Sequence, residues 1–391
     1  MVQKPELIAF AQYRLGGVQN FYFNILRHLD PDQFDLLWIF DDSSNKDNAR
    51  LPQPYGICQE IVFESDHPRF ETAYDKFKGL AKHISNRPGL VLTNFFLELS
   101  TLHTNPRSNK TIYFICHDEL YLNQAKEYGF LIDVFIAHNP VFYRSLIELF
   151  PDRKENIFYL PYGVSLPSFQ RKPTPEGPLR LIYAARHVKE KGVDDLPEII
   201  ELVEKGSADV YWTILGDGPC SGELKEKLAS RKNVRFLNPK GNDEVRNIMA
   251  EQDVFILPSY LDGLPVAMLE AMSVGCVPVL YQFNSGIVEI IDPGTGFVTA
   301  SGDKKAFAAA ILQLSKDATL LETMSLACRQ KVANEYRIED CVKRYAELFS
   351  RYAALKRPTG KKFIAYGGLL EHPMVPSFIR KQVRKIKTRF K

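Results

Sequence analysis

Cysteine is scarce in this sequence. There are six in 391 residues, at 58, 116, 220, 276, 328 and 341, with no C-x-x-C pair among them. That spacing excludes a zinc ribbon or a disulfide framework and reads as free thiols in a reducing compartment. No run approaches the roughly 18 apolar residues of a membrane span. The Met1–Glu6 start enters a strand-like Leu7–Phe10 without the apolar region of a signal peptide. The Asn109-Lys110-Thr111 sequon then falls where no glycan is expected. Internal repeats, a Walker loop and metal-spaced His/Cys clusters are all missing, and Asp41-Asp42 stands in no metal-binding context. The expectation is a cytoplasmic protein with no metal and no cofactor.

What is present is an ordinary globular composition, 45% hydrophobic and 25% charged, long enough for two domains with a core each. Apolar runs alternate with helical periodicity in an α/β rhythm. Leu7–Phe10, Phe34–Phe40, Cys58–Phe63, Leu90–Thr93, Thr111–Cys116, Val134–Ala137 and Ile157–Pro161 read as strands of a first domain, residues 1–168. A linker, Leu166 to Pro178, holds four prolines. Leu179–Ala185, Val210–Leu215, Asn233–Leu237, Val254–Leu257 and Val277–Leu280 read as strands of a second domain, 179–337. Helices follow at about Leu320–Glu335 and Ile338–Ala354, the latter within a segment 338–355.

Net charge is +3, unevenly placed: Lys356 to Lys391 carries eleven Lys or Arg against one acid, Glu371. Within this 356–391 tail, Ile379, Val383, Ile386 and Phe390 form one apolar stripe among seven cations. A basic amphipathic helix of this kind reads as an anchor on an anionic membrane surface. A solvated tail or a nucleic-acid contact are the other readings, and the membrane surface is preferred over nucleic acid.

The chain is organised around Pro258–Leu280, PSYLDGLPVAMLEAMSVGCVPVL. A buried strand ends at Pro258, Asp262-Gly263 turns, and a helix begins with Pro265 at its first position and runs to Val274, where Gly275 ends it. The amides around Gly263, Leu264 and Val266 then form a phosphate-binding helix N-terminus. Asp262 and Glu270, with seven residues between them, both face one ligand on this reading. An acid inside the apolar run Ala267–Met272 lines a site or finds a partner. Arg186 follows the strand Leu179–Ala185, with Lys191-Gly192 five residues on; two cations there neutralise a pyrophosphate, or are simply surface charge. Gly16-Gly17 after the first strand lets a phosphate or sugar approach the backbone, though turns use such pairs widely. Tyr13 and Arg14 precede it, and His117-Asp118 and His138 stand at later strand ends, where a sheet's carboxyl edge meets ligands. His138 reads as structural.

With Arg186, Lys191-Gly192, Asp262 and Glu270 in this order, the sequence resembles retaining glycosyltransferases of family 4. The resemblance covers most of residues 5 to 352 and is more specific in the second half. It implies a GT-B fold, two Rossmann-like domains with parallel sheets facing across an interdomain cleft, and metal-independent transfer of a sugar from a nucleotide-diphosphate donor, a UDP-sugar by default. Arg186 and Lys191 would then bind the donor phosphates, Asp262 the transferred sugar, Glu270 the ribose, and His117 the sugar near its C6 hydroxyl. Gly16 and Gly17 would lie beside the donor phosphates and the acceptor. Asp262 stands where the family usually has Glu. Acceptors would be glycans or lipid-linked glycans. A non-catalytic nucleotide-sugar-binding scaffold is the alternative; a GT-B epimerase or phosphorylase is a third, and no pyridoxal-phosphate lysine site is visible for the latter.

Overall fold

The computed structural model describes residues 4–11, 17–40, 58–62, 72–105, 108–167, 177–239, 241–283, 286–358, 374–375 and 379. They form two compact units. The first comprises the described residues of Met1–His138, Phe142–Leu160 and Val342–Lys391, and the second those of Asn139–Val141 and Pro161–Cys341. The boundary after Leu160 falls before the expected one at 168. Val164 pairs with Arg337 as an isolated parallel bridge, and Gly163 packs closely on Ile338, which ties this stretch to the second unit.

The first unit is built on β1 (Glu6–Ala11), β2 (Asp35–Phe40), β3 (Cys58–Val62), β4 (Gly89–Thr93), β5 (Lys110–Cys116), β6 (Val134–Ala137) and β7 (Ile157–Tyr159). The second is built on β8 (Leu179–Ala184), β9 (Val210–Leu215), β10 (Val234–Leu237), β11 (Val254–Leu257), β12 (Val277–Tyr281) and β13 (Phe297–Thr299). Sheet order is β3-β2-β1-β4-β5-β6-β7 in one and β10-β9-β8-β11-β12-β13 in the other. Every pairing is parallel; β1, for example, meets β2 at Leu7↔Leu36 and β4 at Leu7↔Leu90. Each sheet therefore runs outward in both directions from its first strand, the doubly wound Rossmann order, and has a switch point beside that strand.

Parallel strands covered on both faces need continuous apolar sequence, and β4, β5, β11 and β12 are buried along their whole length. The amino edges are locked by ion pairs: Lys110 Nζ lies 2.6 Å from Glu6 Oε2, and Arg180 Nε donates to Asp253 Oδ2 at 3.1 Å. The carboxyl edges are left to loops.

The helix Ile338–Ser350 and the turn Tyr352–Leu355 complete the first unit's sheet. Tyr113 Oη donates to Leu348 O at 3.0 Å, Thr111 Oγ1 to Tyr352 O at 2.8 Å, and Tyr345 Oη to Leu160 O at 2.9 Å. Helices Phe96–His103 and Pro140–Leu149 and strand β13 were not anticipated from the sequence. No helix among the described residues is long and apolar enough to cross a membrane. The basic tail lies outside the described residues apart from Lys356, Arg357, Pro358, Met374, Val375 and Ile379.

Candidate functional site

In the second unit the switch point falls between β8 and β11, and the loops after these two strands carry the expected cations and the first acid. Three hydrogen bonds lace the loops together: Ser259 Oγ, Tyr260 N and Leu261 N all reach Glu190 O, at 3.0, 2.9 and 3.3 Å. Gly192, at φ +68°, lies flat against the facing chain, where an added Cβ would stand 1.7 Å from Pro258 O. Only glycine combines that left-handed backbone with such an approach. Buried Tyr183 supports the cation loop from beneath, its hydroxyl 3.2 Å from Lys191 O and 3.4 Å from Arg186 O.

Lacing at this register brings two of the expected side chains into contact. Lys191 Nζ lies 2.5 Å from Asp262 Oδ2 and 3.2 Å from Leu261 O. The other carboxylate oxygen, Asp262 Oδ1, accepts from Gly263 N at 3.0 Å. Arg186 is exposed after β8, and no carboxylate among the described residues pairs with it.

The helix following Asp262 spans Val266–Val274. Pro265 is its N-cap, at φ −68° and ψ 102°, rather than its first helical residue. Its ψ is extended because the chain must still turn from the Asp262-Gly263 loop into the helix axis. Gly275 closes the helix at φ +94°, as the sequence leads one to expect. Leu264 is buried, and Val266 begins the helix with its amide at the free N-terminus. Glu270 is half-buried on this helix beside buried Met268, Leu269, Ala271 and Met272. Burial pushes its carboxyl up to about 7, and the Arg246 guanidinium on the preceding helix partly offsets this. A near-neutral carboxyl in such a place can donate or accept a hydrogen bond to a hydroxyl.

Two residues that the sequence did not single out, His187 and Ser221, brace the Arg186 loop together with Asp217. His187 is buried, and its Nδ1 lies 2.8 Å from Ser221 Oγ, which donates to Asp217 Oδ1 at 2.6 Å. His187 N bonds Asp217 O at 2.9 Å, and Cys220 N bonds His187 O at 3.0 Å. The sequence does carry a glycine-rich turn here, Gly216-Asp217-Gly218-Pro219 after β9, whereas a histidine inside the charged HVKEKG stretch gives no signal.

In the first unit Gly17 opens the helix Gly17–His28 after β1. Gly16, Tyr13 and Arg14 lie outside the described residues. His117 follows β5 directly and is buried among rings, 5.6 Å from Phe21, 5.0 Å from Tyr121 and 5.0 Å from His138, centroid to centroid. Burial, and then the second imidazole, lower its pKa well below the usual histidine value, so it is neutral at physiological pH. His138 is fully buried against Leu160 O at 2.9 Å, a structural role in keeping with its reading as one. Asp118 caps the helix Glu119–Tyr128 by accepting from Leu120 N at 2.8 Å and Tyr121 N at 3.4 Å.

Residues 166–331 match the family profile described as Glycosyl transferases group 1. An amylovoran biosynthesis glycosyltransferase, AmsK of Erwinia amylovora, is 32% identical over 186 residues, 45% of this chain and 46% of that protein. An Escherichia coli UDP-Gal:alpha-D-GlcNAc-diphosphoundecaprenol alpha-1,3-galactosyltransferase is 30% identical over 36% of this chain and 37% of its own length. The chain thus spans less than half the length of these relatives. The solved structure of Anabaena HepE with UDP and glucose superposes with a TM-score of 0.72 at 15% identity, covering 88% of this chain and 99% of that one. That likeness shows the fold, the two Rossmann-like units of GT-B proteins.

Proposed function

We propose that this chain, with its group 1 glycosyl transferase domain and GT-B fold, is a retaining glycosyltransferase. It moves a sugar from a nucleotide-diphosphate donor, a UDP-sugar by preference, to a hydroxyl of a glycan or lipid-linked acceptor. The observation that carries the reading is the constellation at the second switch point. Lys191, Asp262, the Gly263–Val266 amides and Glu270 come from two laced loops and one helix start, with Arg186 on the same cation loop. Ligands of open parallel sheets bind at this place. The naming of UDP in both a relative and a solved neighbour supports the base.

Arg186, Lys191 and the helix amides stabilise the departing diphosphate, so two fixed cations supply the charge that a metal would otherwise bring. Asp262 and Glu270 grip sugar and ribose hydroxyls, fixing the donor for attack. The leaving phosphate takes the acceptor proton on the same face, and no side-chain base is needed. His117, neutral in its ring cluster, offers a hydrogen bond to a sugar hydroxyl without charge. The basic tail holds the enzyme at the cytoplasmic face of an anionic membrane, near lipid-linked acceptors.

The test is transfer of label from UDP-sugars, with GDP-mannose as the competing donor, to extracted lipid-linked glycans. Lys191→Ala should lower kcat/KM at least about a hundredfold, since it removes a charge-assisted contact used in the transition state. Tight UDP-sugar binding without hydrolysis or transfer would favour the scaffold reading instead.

A further inference from the structure

The contact between Lys191 and Asp262 joins a group assigned to phosphate with a group assigned to sugar. Both side chains are largely covered, 18% and 19% exposed, so the pair is little screened by solvent. The carboxylate is shared: Oδ2 is on the ammonium at 2.5 Å, and Oδ1 accepts from the Gly263 amide at 3.0 Å. A cation and a loop amide before a helix start are what a diphosphate oxygen would seek.

We propose that Asp262 is an intramolecular stand-in for the donor's phosphate, holding Lys191 and the Gly263 amide until an incoming diphosphate displaces it. The freed carboxylate then turns to the sugar, so arrival of the phosphate sets the sugar grip. This inference rests on the reading of the site as a nucleotide-sugar site. Two features make the exchange a matter of side-chain rotation. The loops are held in register by the bonds to Glu190 O and by Gly192 against Pro258. The acid is also the shorter one. The short Asp262 side chain reaches the amide of the next residue, Gly263, whereas Glu, one methylene longer, is poorly placed to do so. The aspartate at this position is therefore a specificity-determining residue: it sets how strongly a ligand must bind Lys191 before it is admitted.

The experiment is calorimetric titration of UDP and, separately, GDP into the full chain and into D262N, K191M and the D262N/K191M double variant. If Asp262 competes for Lys191, D262N should bind UDP about tenfold more tightly than the native chain, and the same change in the K191M background should alter affinity less than about twofold. D262E, which keeps the charge but loses the short reach, should also bind more tightly than the native protein, and it tests the idea if D262N fails to fold. Equal effects of D262N in both backgrounds would mean plain charge repulsion and overturn the stand-in role, as would weaker or unchanged binding in D262N. If neither nucleotide binds any of the proteins, the nucleotide-sugar reading itself falls, and this inference with it.

Discussion

Glu270 shows how a single side chain links stability to chemistry. Its carboxyl is raised from 4.5 to about 7 by burial, so folding favours the protonated form. The stabilisation this gives is complete below about pH 4.5 and is lost as pH rises through about 7. Glu270→Gln should therefore be more stable than the native chain at pH 8, by up to about 3 kcal/mol, with the gap closing by pH 4.5; urea melts at both pH values check this. Gly192→Ala should cost about 3 kcal/mol or more, because a methyl group would enter the Pro258 carbonyl at a left-handed φ; denaturant titration reads it directly. The cations and acids were legible in the sequence because their spacing follows strand ends. Their pairing was not, since only the register of two loops far apart in sequence puts Lys191 on Asp262. Pro265 was misplaced by one position for a related reason: its fixed φ suits the first helical residue, but the turn before the helix gives it an extended ψ and makes it the cap.

Among the elements, the strands could be read because doubly covered parallel strands are almost wholly apolar. Helix Phe96–His103 could not, because five consecutive residues, Glu98 to Leu102, are buried and no amphipathic stripe results. Strand β13, at three residues, is shorter than any pattern can establish. Asp118 belongs at this scale too. As an N-cap it serves the helix Glu119–Tyr128, and Asp118→Ala should cost about 1 kcal/mol and weaken amide-exchange protection in that helix's first turn. If acceptor KM stays constant in the same variant, the cap is its whole role; a rise in KM without further loss of stability would assign it an acceptor contact as well.

For the whole molecule, two units with separate cores predict two calorimetric transitions. UDP at about 100 times its dissociation constant should add about 2.7 kcal/mol to one of them, the one containing Lys191, and Lys191→Ala should remove most of that shift. Two Rossmann-like domains were what the family resemblance implied, and both sheets have the Rossmann order.

The first unit, however, is assembled from pieces of the chain that translation delivers at very different times. Tyr345 and Phe349 are buried against its sheet side, and Asn156 Nδ2 donates to Leu355 O at 3.3 Å. A nascent chain paused at the linker therefore exposes an unroofed hydrophobic sheet until residues 342–355 have been made. Expressed alone, residues 1–160 should aggregate, and supplying residues 342–391 in trans should return them to the soluble fraction.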